Sequence, residues 1–312
     1  MAPVLSASVT APVTSSVPTR SPAQAFSASD LALLSVILIW GTNYTVVKES
    51  LDAIPAPAFM ALRFALAAVA MAGVLHVQEG WKPLPRATLL KLVGLGLVGH
   101  TVYQVCFVLG VANTTASNSG MLTAGTPVVI ALLGAMLGLD RLSRPLLIGL
   151  VLAVPGMLFI VSARGAGAGG GPRLGDFLIL GSSLCWALYT VGIRWVGPGV
   201  SALRVTALSM LVGAPGVVAV GLPSVASLDL SAISLGAWAG VVYSALVPLV
   251  LAYVVWGRSV QSVGASRTAI YNSGIPVVAA LTAWSVRGEQ PTWLQAVGAV
   301  LVILGVLVSR RR

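Results

Sequence analysis

The sequence is poor in charged residues, and this shortage excludes a water-soluble fold. Charged residues make up 8% of the 312 positions and hydrophobic residues 57%, whereas a soluble domain carries about 25% charged residues. Asp and Glu together number only eight. Because the mean hydropathy is +0.96, we predict an integral membrane protein.

Histidine and cysteine are also scarce, with two of each. Two histidines and dispersed carboxylates do not supply the clustered ligands of a metal site, and the sequence has no Walker A, GxSxG or HExxH motif. Cys106 and Cys185 lie inside apolar runs, which is typical of small packing residues rather than of a disulfide. We therefore predict no enzyme activity, no cofactor, no metal site and no nucleotide-driven pump.

The abundant apolar residues form stretches of roughly 18 to 25 residues, each long enough to cross about 30 Å of hydrocarbon. They predict ten membrane spans. The approximate limits are 30–48, 56–76, 88–108, 112–138, 145–163, 176–196, 200–222, 233–256, 262–286 and 293–309.

The basic residues predict an orientation. The net charge of +10 comes from Lys and Arg residues that stand singly between apolar runs, which argues against nucleic-acid binding. With a cytoplasmic N-terminus, thirteen of the 18 basic residues lie on the cytoplasmic side, and the positive-inside rule then predicts that both termini are cytoplasmic. The five assigned to the outer side are Lys48, Arg63, Arg164, Arg173 and Arg287.

Two segments lie outside the spans. Residues 1–28 are rich in Ala, Ser, Pro, Thr and Val and lack the apolar core of a signal peptide, so we predict a disordered tail. Residues 164–175 include the Gly-rich stretch Gly165–Gly171 and are predicted to be a flexible linker. The chain then divides into halves 29–163 and 176–312, the second ending in a basic cytoplasmic C-terminus.

The two halves resemble each other in sequence. Each contains five predicted spans, an odd number, so the second half enters the membrane from the opposite side. Inverted repeats of this kind are typical of transporters, in which two interchangeable half-structures alternate around one site. Matched pairs include Trp40 and Trp186 at an offset of 146, Arg63 and Arg204 at 141, and Pro127 and Pro276, Asp140 and Glu289, Gly149 and Gly298, and Gly156 and Gly305 at 149.

The segments Ile39–Lys48, Ala116–Arg141 and Leu184–Val191, with the run Gly288–Thr292, resemble the EamA-type permeases of the drug/metabolite transporter superfamily. The resemblance implies an all-α integral membrane fold with ten transmembrane helices, arranged as two inverted five-helix repeats around a central cavity. It also implies a bacterial-type inner membrane. Asp140 stands where the family usually has glutamate.

Polar and aromatic residues at membrane depth are the candidates for substrate binding. His100, Tyr103, Gln104 and Phe107 recur at helical spacing and are predicted to share a cavity-lining face. Pro127 and Pro276 are predicted to be structural or gating residues. The other predicted cavity-lining residues are Trp40, Asn43, Tyr44, Trp186, Tyr189, Tyr243, Tyr253, Tyr271 and Asn272.

Structural alternatives stay open for several of these residues. Trp40 and Trp186 could pack helices together, and His100 could hydrogen-bond a neighbouring helix. Tyr243 and Trp256 fit an interfacial aromatic belt.

The resemblance and the predicted aromatic cavity favour a secondary transporter or facilitator that exports small organic metabolites by alternating access. Amino acids are the favoured cargo, above all apolar or aromatic ones.

The alternative is multidrug or organic-cation efflux, for which a buried carboxylate would be expected. Phosphorylated metabolites would require Lys or Arg near the midplane, whereas Arg63, Arg204 and Arg267 are placed toward helix ends. A channel or a membrane-embedded enzyme is the alternative from another class. The predicted partners are a small-molecule substrate and the lipid bilayer, without nucleic acid, and the sequence leaves monomer and homodimer open.

His100 is the side-chain candidate for proton coupling, if the transporter is coupled to protons at all. It lies about 13 Å along its helix from Lys91, and histidine titrates near physiological pH. No carboxylate is placed near the midplane, so we predict either facilitated diffusion or proton coupling through His100.

Overall fold

The computed structural model describes residues 28–138, 144–162, 174–197 and 199–308. All regular secondary structure within these ranges is helical. The predicted tail up to residue 27, the stretch Gly165–Gly171, Asp140 and the terminal arginines lie outside the described residues.

We number the helices α1 to α10 in chain order and treat consecutive helical segments as one helix. The first five are α1 (Ala28–Leu51), α2 (Ala56–Gln78), α3 (Arg86–Gly96, Leu97–Val102 and Tyr103–Ala112), α4 (Ala116–Leu122, Thr123–Gly125 and Thr126–Met136) and α5 (Arg144–Ser162). The others are α6 (Leu174–Val196), α7 (Ala202–Ala226), α8 (Leu235–Ser244, Ala245–Leu251 and Ala252–Val263), α9 (Ala265–Ala269, Ile270–Gly274 and Ile275–Arg287) and α10 (Trp293–Val308). A short 3₁₀ turn, Leu230–Ala232, precedes α8.

Seven helices of the described part, namely α1 to α4 and α6 to α8, are long and apolar enough to cross a membrane. Shorter apolar stretches cover Leu147–Ile160 of α5 and Trp293–Val308 of α10, and α9 is divided into short segments. The chain is therefore a multi-pass membrane protein, while the number of ten spans stays a prediction.

Hydroxyl side chains cap the N-termini of three helix segments, in α4, α7 and α8. Thr115 accepts a hydrogen bond from the backbone N–H of Asn118 at 3.0 Å, and Ser201 accepts one from the backbone N–H of Arg204 at 3.1 Å. Ser234 does the same at the start of α8. Each hydroxyl satisfies one of the backbone donors that the first turn of a helix leaves without a partner.

Proline interrupts α4 and α9 at matching places. A 3₁₀ turn, Thr123–Gly125, precedes Pro127 in α4, and another, Ile270–Gly274, precedes Pro276 in α9. Proline has no N–H, and its ring clashes with the carbonyl four residues earlier, so an α-helix cannot run through it without distortion. Pro127 and Pro276 are the repeat-related prolines of the sequence, and each lies just after a break in its helix.

Helices α3 and α8 each contain a π-helical segment, Leu97–Val102 and Ala245–Leu251. Such segments carry more residues per turn and leave carbonyl groups available to side chains. One of these carbonyls, that of Pro248, accepts a hydrogen bond from Nε1 of Trp40 at 3.1 Å. The π segment of α8 is thereby tied to α1.

Helices α5 and α10 pack against each other through glycines. A Cβ atom added to Gly156 would lie 2.7 Å from the carbonyl oxygen of Gly298, and one added to Gly298 would lie 2.6 Å from that of Gly156. A Cβ on Gly305 would lie 2.6 Å from the carbonyl oxygen of Gly149. In the sequence the repeat relates Gly149 to Gly298 and Gly156 to Gly305, so each contact joins one glycine of one repeat-related pair to a glycine of the other pair. A larger side chain at Gly156, Gly298 or Gly305 would force the helices apart.

Charged clusters join helix ends at both ends of α2. Near its start, Arg287 of α9 pairs with Glu49 and, at 2.9 Å, with Asp52. Beyond its end, Arg204 of α7 pairs with Glu79 at 3.5 Å. Because α2 runs the length of the bundle, the two clusters lie at opposite ends of the molecule.

Candidate functional site

A narrow cavity of about 50 Å³ lies where the interrupted helices meet. Its walls combine aromatic rings with amide, hydroxyl and guanidinium groups. The lining residues are Trp40, Asn43, Tyr44, Arg63, Tyr103, Gln104, Phe107, Thr123, Thr126, Ser182, Ser183, Trp186, Pro248, Leu249, Tyr253, Asn272 and Ile275.

Most of the residues predicted from the sequence to bind substrate lie on these walls, and four lie elsewhere. The four are His100, Tyr189, Tyr243 and Tyr271, which are absent from the lining set. The predicted residues on the walls are Trp40, Asn43, Tyr44, Tyr103, Gln104, Phe107, Trp186, Tyr253 and Asn272.

Four aromatic side chains form an aromatic cluster at one side of the cavity. The ring of Trp186 lies 5.2 Å from that of Trp40, in an edge-to-face arrangement, and 5.1 Å from that of Tyr253. Trp256 packs against Trp40 at 5.1 Å. Ring centroids at these separations attract one another, so the cluster is a packed apolar wall.

Trp256 corrects one interpretation of the sequence. The residue fits an interfacial belt by its position near the end of a span, but its side chain is only 1% exposed. It is the member of the aromatic cluster that does not line the cavity, and it packs against Trp40. The periodicity of a single helix does not show which of its faces another helix covers.

His100 lies behind the aromatic cluster. It is fully buried, and its Nε2 atom is 3.0 Å from Oγ of Ser209 on α7. Its ring packs against those of Tyr189 and Tyr253, with centroids 4.9 Å and 5.7 Å away. The structural alternative, a hydrogen bond to a neighbouring helix, is therefore realised, while proton coupling through His100 stays a prediction.

The other three residues outside the lining set make local contacts. Tyr189 is buried against Trp186 at 5.4 Å. The hydroxyl group of Tyr243 is 3.1 Å from that of Thr42. The hydroxyl group of Tyr271 donates to the carboxylate of Asp30.

Polar groups complete the walls of the cavity. Asn43 and Asn272 are buried, with exposures of 5% and 4%. The hydroxyl of Tyr44 donates to Oγ1 of Thr123 at 3.2 Å, which ties α1 to the 3₁₀ turn of α4. The Oδ1 atom of Asn43 has no hydrogen-bond partner among the described residues.

Arg63 is a lining residue that the sequence patterns do not predict. The distribution of loop charges predicts an outer position for it, but it is the eighth residue of α2 and its side chain is 1% exposed. One Nη atom donates to Oε1 of Gln104, and the guanidinium carbon lies 5.4 Å from the ring centres of Phe59 and Phe107. The signal that could have revealed it is a lone charge inside an otherwise apolar span.

Asp176 is an acid buried away from the cavity. Its carboxylate accepts hydrogen bonds from Thr114 at 3.0 Å and from Asn118 at 2.6 Å. It stands at the third position of α6 and does not line the cavity. No Asp, Glu, His or Cys cluster in the described ranges is arranged to hold a metal ion.

The sequence was compared with models of known protein families. The model of the EamA-like transporter family matches the chain twice, over residues 27–162 and 173–311. The chain belongs to the EamA-like transporter family. The resemblance recognised in the sequence motifs is thereby confirmed, and both matches contribute residues to the cavity.

Several related proteins are named as transporters, exporters or efflux pumps. The chain is 29% identical to the uncharacterized transporter YyaM of Bacillus subtilis, over 89% of this chain and 92% of the relative. It is 28% identical to a probable terminal-alkyne amino-acid exporter of Streptantibioticus cattleyicolor, over 90% and 93%. A probable amino-acid metabolite efflux pump of Salmonella typhimurium is 26% identical over 89% and 93%.

A solved crystal structure shares the fold. It superposes with a TM-score of 0.64, covers 91% of this chain and 98% of its own, and is 21% identical. This likeness shows a shared fold, while the family match identifies a member of a membrane transporter family.

Proposed function

We propose that the protein is a secondary transporter or facilitator that exports small organic metabolites by alternating access, with apolar and aromatic amino acids as the favoured cargo. The observation that carries the proposal is the shared cavity. Trp40 and Tyr103 line it from the first family match, and Trp186, Tyr253 and Asn272 line it from the second. A site shared by two halves is accessible from either side when one half rocks against the other.

The matching interruptions support alternating access. Helices α4 and α9 break before Pro127 and Pro276, and α3 and α8 both contain π segments. Paired broken helices at corresponding positions of two halves commonly surround the substrate site of a secondary transporter. We propose ten spans in two inverted repeats on this basis.

The chemistry of the walls supports an amino acid. The aromatic cluster offers ring faces to an apolar side chain, and Asn43, Gln104 and Asn272 offer amide groups to a polar head. Two relatives of similar length are named as amino-acid or amino-acid metabolite exporters. An organic cation is the weaker alternative, because the described lining residues include Arg63 and no carboxylate.

We further propose a bacterial-type inner membrane location with both termini cytoplasmic. The cluster of Glu79 and Arg204 then faces the cytoplasm, and the cluster of Glu49, Asp52 and Arg287 faces outward. The orientation rests on the distribution of basic residues between loops.

The test is uptake by purified protein in proteoliposomes. The panel contains apolar and aromatic amino acids, organic cations and sugar phosphates, with and without a pH gradient. Saturable uptake of the amino acids is expected. Uptake restricted to the cations would favour multidrug efflux, and absence of saturable uptake across the panel would contradict the proposal.

A further inference from the structure

Arg63 is a buried charge that no acid in the described part of the chain neutralises. Its guanidinium group makes one hydrogen bond to a side chain, that of Gln104, while its Nε and Nη1 atoms have no hydrogen-bond partner there. Burying an unpaired charge is costly, and proteins normally pair it. The packing of Phe59 and Phe107 against the group at 5.4 Å does not use these N–H donors.

The repeat provides an internal comparison. Arg204 occupies the matching sequence position of the second half and makes the contacts of a structural arginine. It pairs with Glu79 at 3.5 Å and donates to the carbonyl groups of Gly80 and Lys82 at 2.8 Å and 3.0 Å. Arg63 has no such set of acceptors and lies on the cavity wall.

We propose that Arg63 binds the carboxylate group of the transported substrate. This inference rests on the proposed function and narrows its substrate class to compounds with a free carboxylate. A guanidinium group has two edges that can each present two parallel N–H donors to a carboxylate. The bond to Gln104 uses one of the N–H groups of Nη2, so one complete edge is left for the ligand.

The charge of the site favours a carboxylate over a phosphate group or a cationic group. Arg63 is the sole charged residue among the described lining residues, so the site offers one positive charge to one negative charge. A doubly charged phosphate ester is better matched by several cations. An organic cation would be repelled by Arg63.

The opposite charge of an amino acid also has a partner in the cavity. The Oδ1 atom of Asn43 is buried and accepts no hydrogen bond from the described residues, so it can accept one from an ammonium group. The faces of Trp40 and Trp186 add cation–π attraction. Arg63, Asn43 and the aromatic cluster thus match the carboxylate, the ammonium group and the apolar side chain of a zwitterionic amino acid.

The experiment compares each acid with its own amide. Binding of L-phenylalanine and L-phenylalaninamide, and of L-leucine and L-leucinamide, is measured on detergent-solubilised protein by tryptophan fluorescence. Wild-type protein is expected to bind the acids at least about tenfold more tightly than the amides, because a hydrogen-bonded charge pair is lost in the amide. Equal affinity for acid and amide, or no binding of either acid, would overturn the inference.

Variants of Arg63 test whether this residue causes the preference for acids over amides. Arg63→Gln is expected to abolish the preference, and Arg63→Lys to retain part of it. Arg258→Gln, which alters an exposed arginine that donates to Gln78, is the matched control and should behave as wild type. A preference that survives in Arg63→Gln would overturn the inference. If Arg63→Gln does not fold, the relative affinities of wild-type protein and of Arg63→Lys for acid and amide still test the inference.

Transport of the same pairs separates this inference from the proposed function. Saturable flux of both acid and amide, with equal affinities, would contradict the role of Arg63 and leave the transporter function standing. Selective binding of the acids without flux of any compound would support the role of Arg63 and contradict transport.

Discussion

Among individual residues, Trp40 connects the aromatic cluster to the π segment of α8. Its ring belongs to the aromatic cluster, and its N–H group donates to the Pro248 carbonyl in the π segment of α8. Trp186 occupies the matching position of the second half and contacts Trp40 edge to face. Repeat-related residues thus meet inside the cavity, where a substrate bound between the halves would touch both.

We expect Trp40→Ala and Trp186→Ala to impair transport more than folding. Aromatic contacts with a bound ligand contribute about 0.5–1.5 kcal/mol, so initial uptake should fall by up to about tenfold. Uptake is measured in proteoliposomes at equal protein content, and folding by size-exclusion chromatography. Trp293→Ala, at a tryptophan that is 76% exposed, is the control. Unchanged uptake by both cavity variants, or failure of both to fold, would favour a packing role.

His100 carries the prediction about coupling. We expect either downhill transport or proton-driven accumulation that requires this residue, because His100 is the titratable candidate at depth. Accumulation in proteoliposomes is measured under an imposed pH gradient for wild type and for His100→Gln. Full retention of concentrative transport by the glutamine variant would contradict both alternatives.

The residues themselves show what the sequence could and could not predict. Tyr103, Gln104 and Phe107 were grouped by helical spacing and do lie on the cavity wall, but His100 does not. The π segment Leu97–Val102 explains the difference, because its extra residue rotates the preceding turn relative to the following one. Arg63 was missed because loop-charge counting assigns every basic residue to a membrane surface, whereas burial depends on the neighbouring helices.

At the scale of the elements, glycine contacts hold α5 and α10 together. The close approaches join Gly156 to Gly298 and Gly149 to Gly305. The repeat in the sequence makes Gly149 equivalent to Gly298 and Gly156 equivalent to Gly305. The contacts instead join non-equivalent glycines, which the sequence does not predict because they depend on how the two halves pack.

We expect Gly298→Leu to destabilise the protein. Its side chain would meet the carbonyl oxygen of Gly156, 2.6 Å from the added Cβ, and overpacking of this kind costs about 1–3 kcal/mol. Thermal unfolding in detergent provides the measurement. Gly73→Leu is the matched control, because no atom of another helix in the described part of the chain lies within 4 Å of an added Cβ. Equal melting temperatures for the two variants would show that the α5 and α10 contact is not tight.

At the scale of the whole molecule, ion pairs join helices at both ends of the bundle. Arg287 connects α9 to the end of α1, and Arg204 connects α7 to the end of α2. Alternating access requires one end to open while the other stays closed. Both sets of ion pairs are formed in this structure, so under the proposed mechanism the opening of either end would require the pairs at that end to break.

The orientation of the two ends is testable with single cysteines. In a background with Cys106→Ser and Cys185→Ser, we expect Ser231→Cys to react with an impermeant maleimide in intact cells. Lys82→Cys should react only after permeabilisation, because its loop lies on the predicted cytoplasmic side. Both positions are exposed, so access to reagent depends on the side of the membrane. Labelling of the Lys82→Cys variant in intact cells would overturn the proposed orientation.

In the proposed mechanism, one cavity built by both halves carries an amino acid from one side of the membrane to the other. A counterflow experiment tests this mechanism. Proteoliposomes preloaded with unlabelled L-phenylalanine are diluted into a trace of labelled L-phenylalanine, and uptake is followed over time. We expect a transient accumulation of label that empty liposomes and unloaded proteoliposomes do not show, because a carrier exchanges its bound substrate across the membrane. Uptake that preloading does not accelerate would contradict a carrier that alternates around this site.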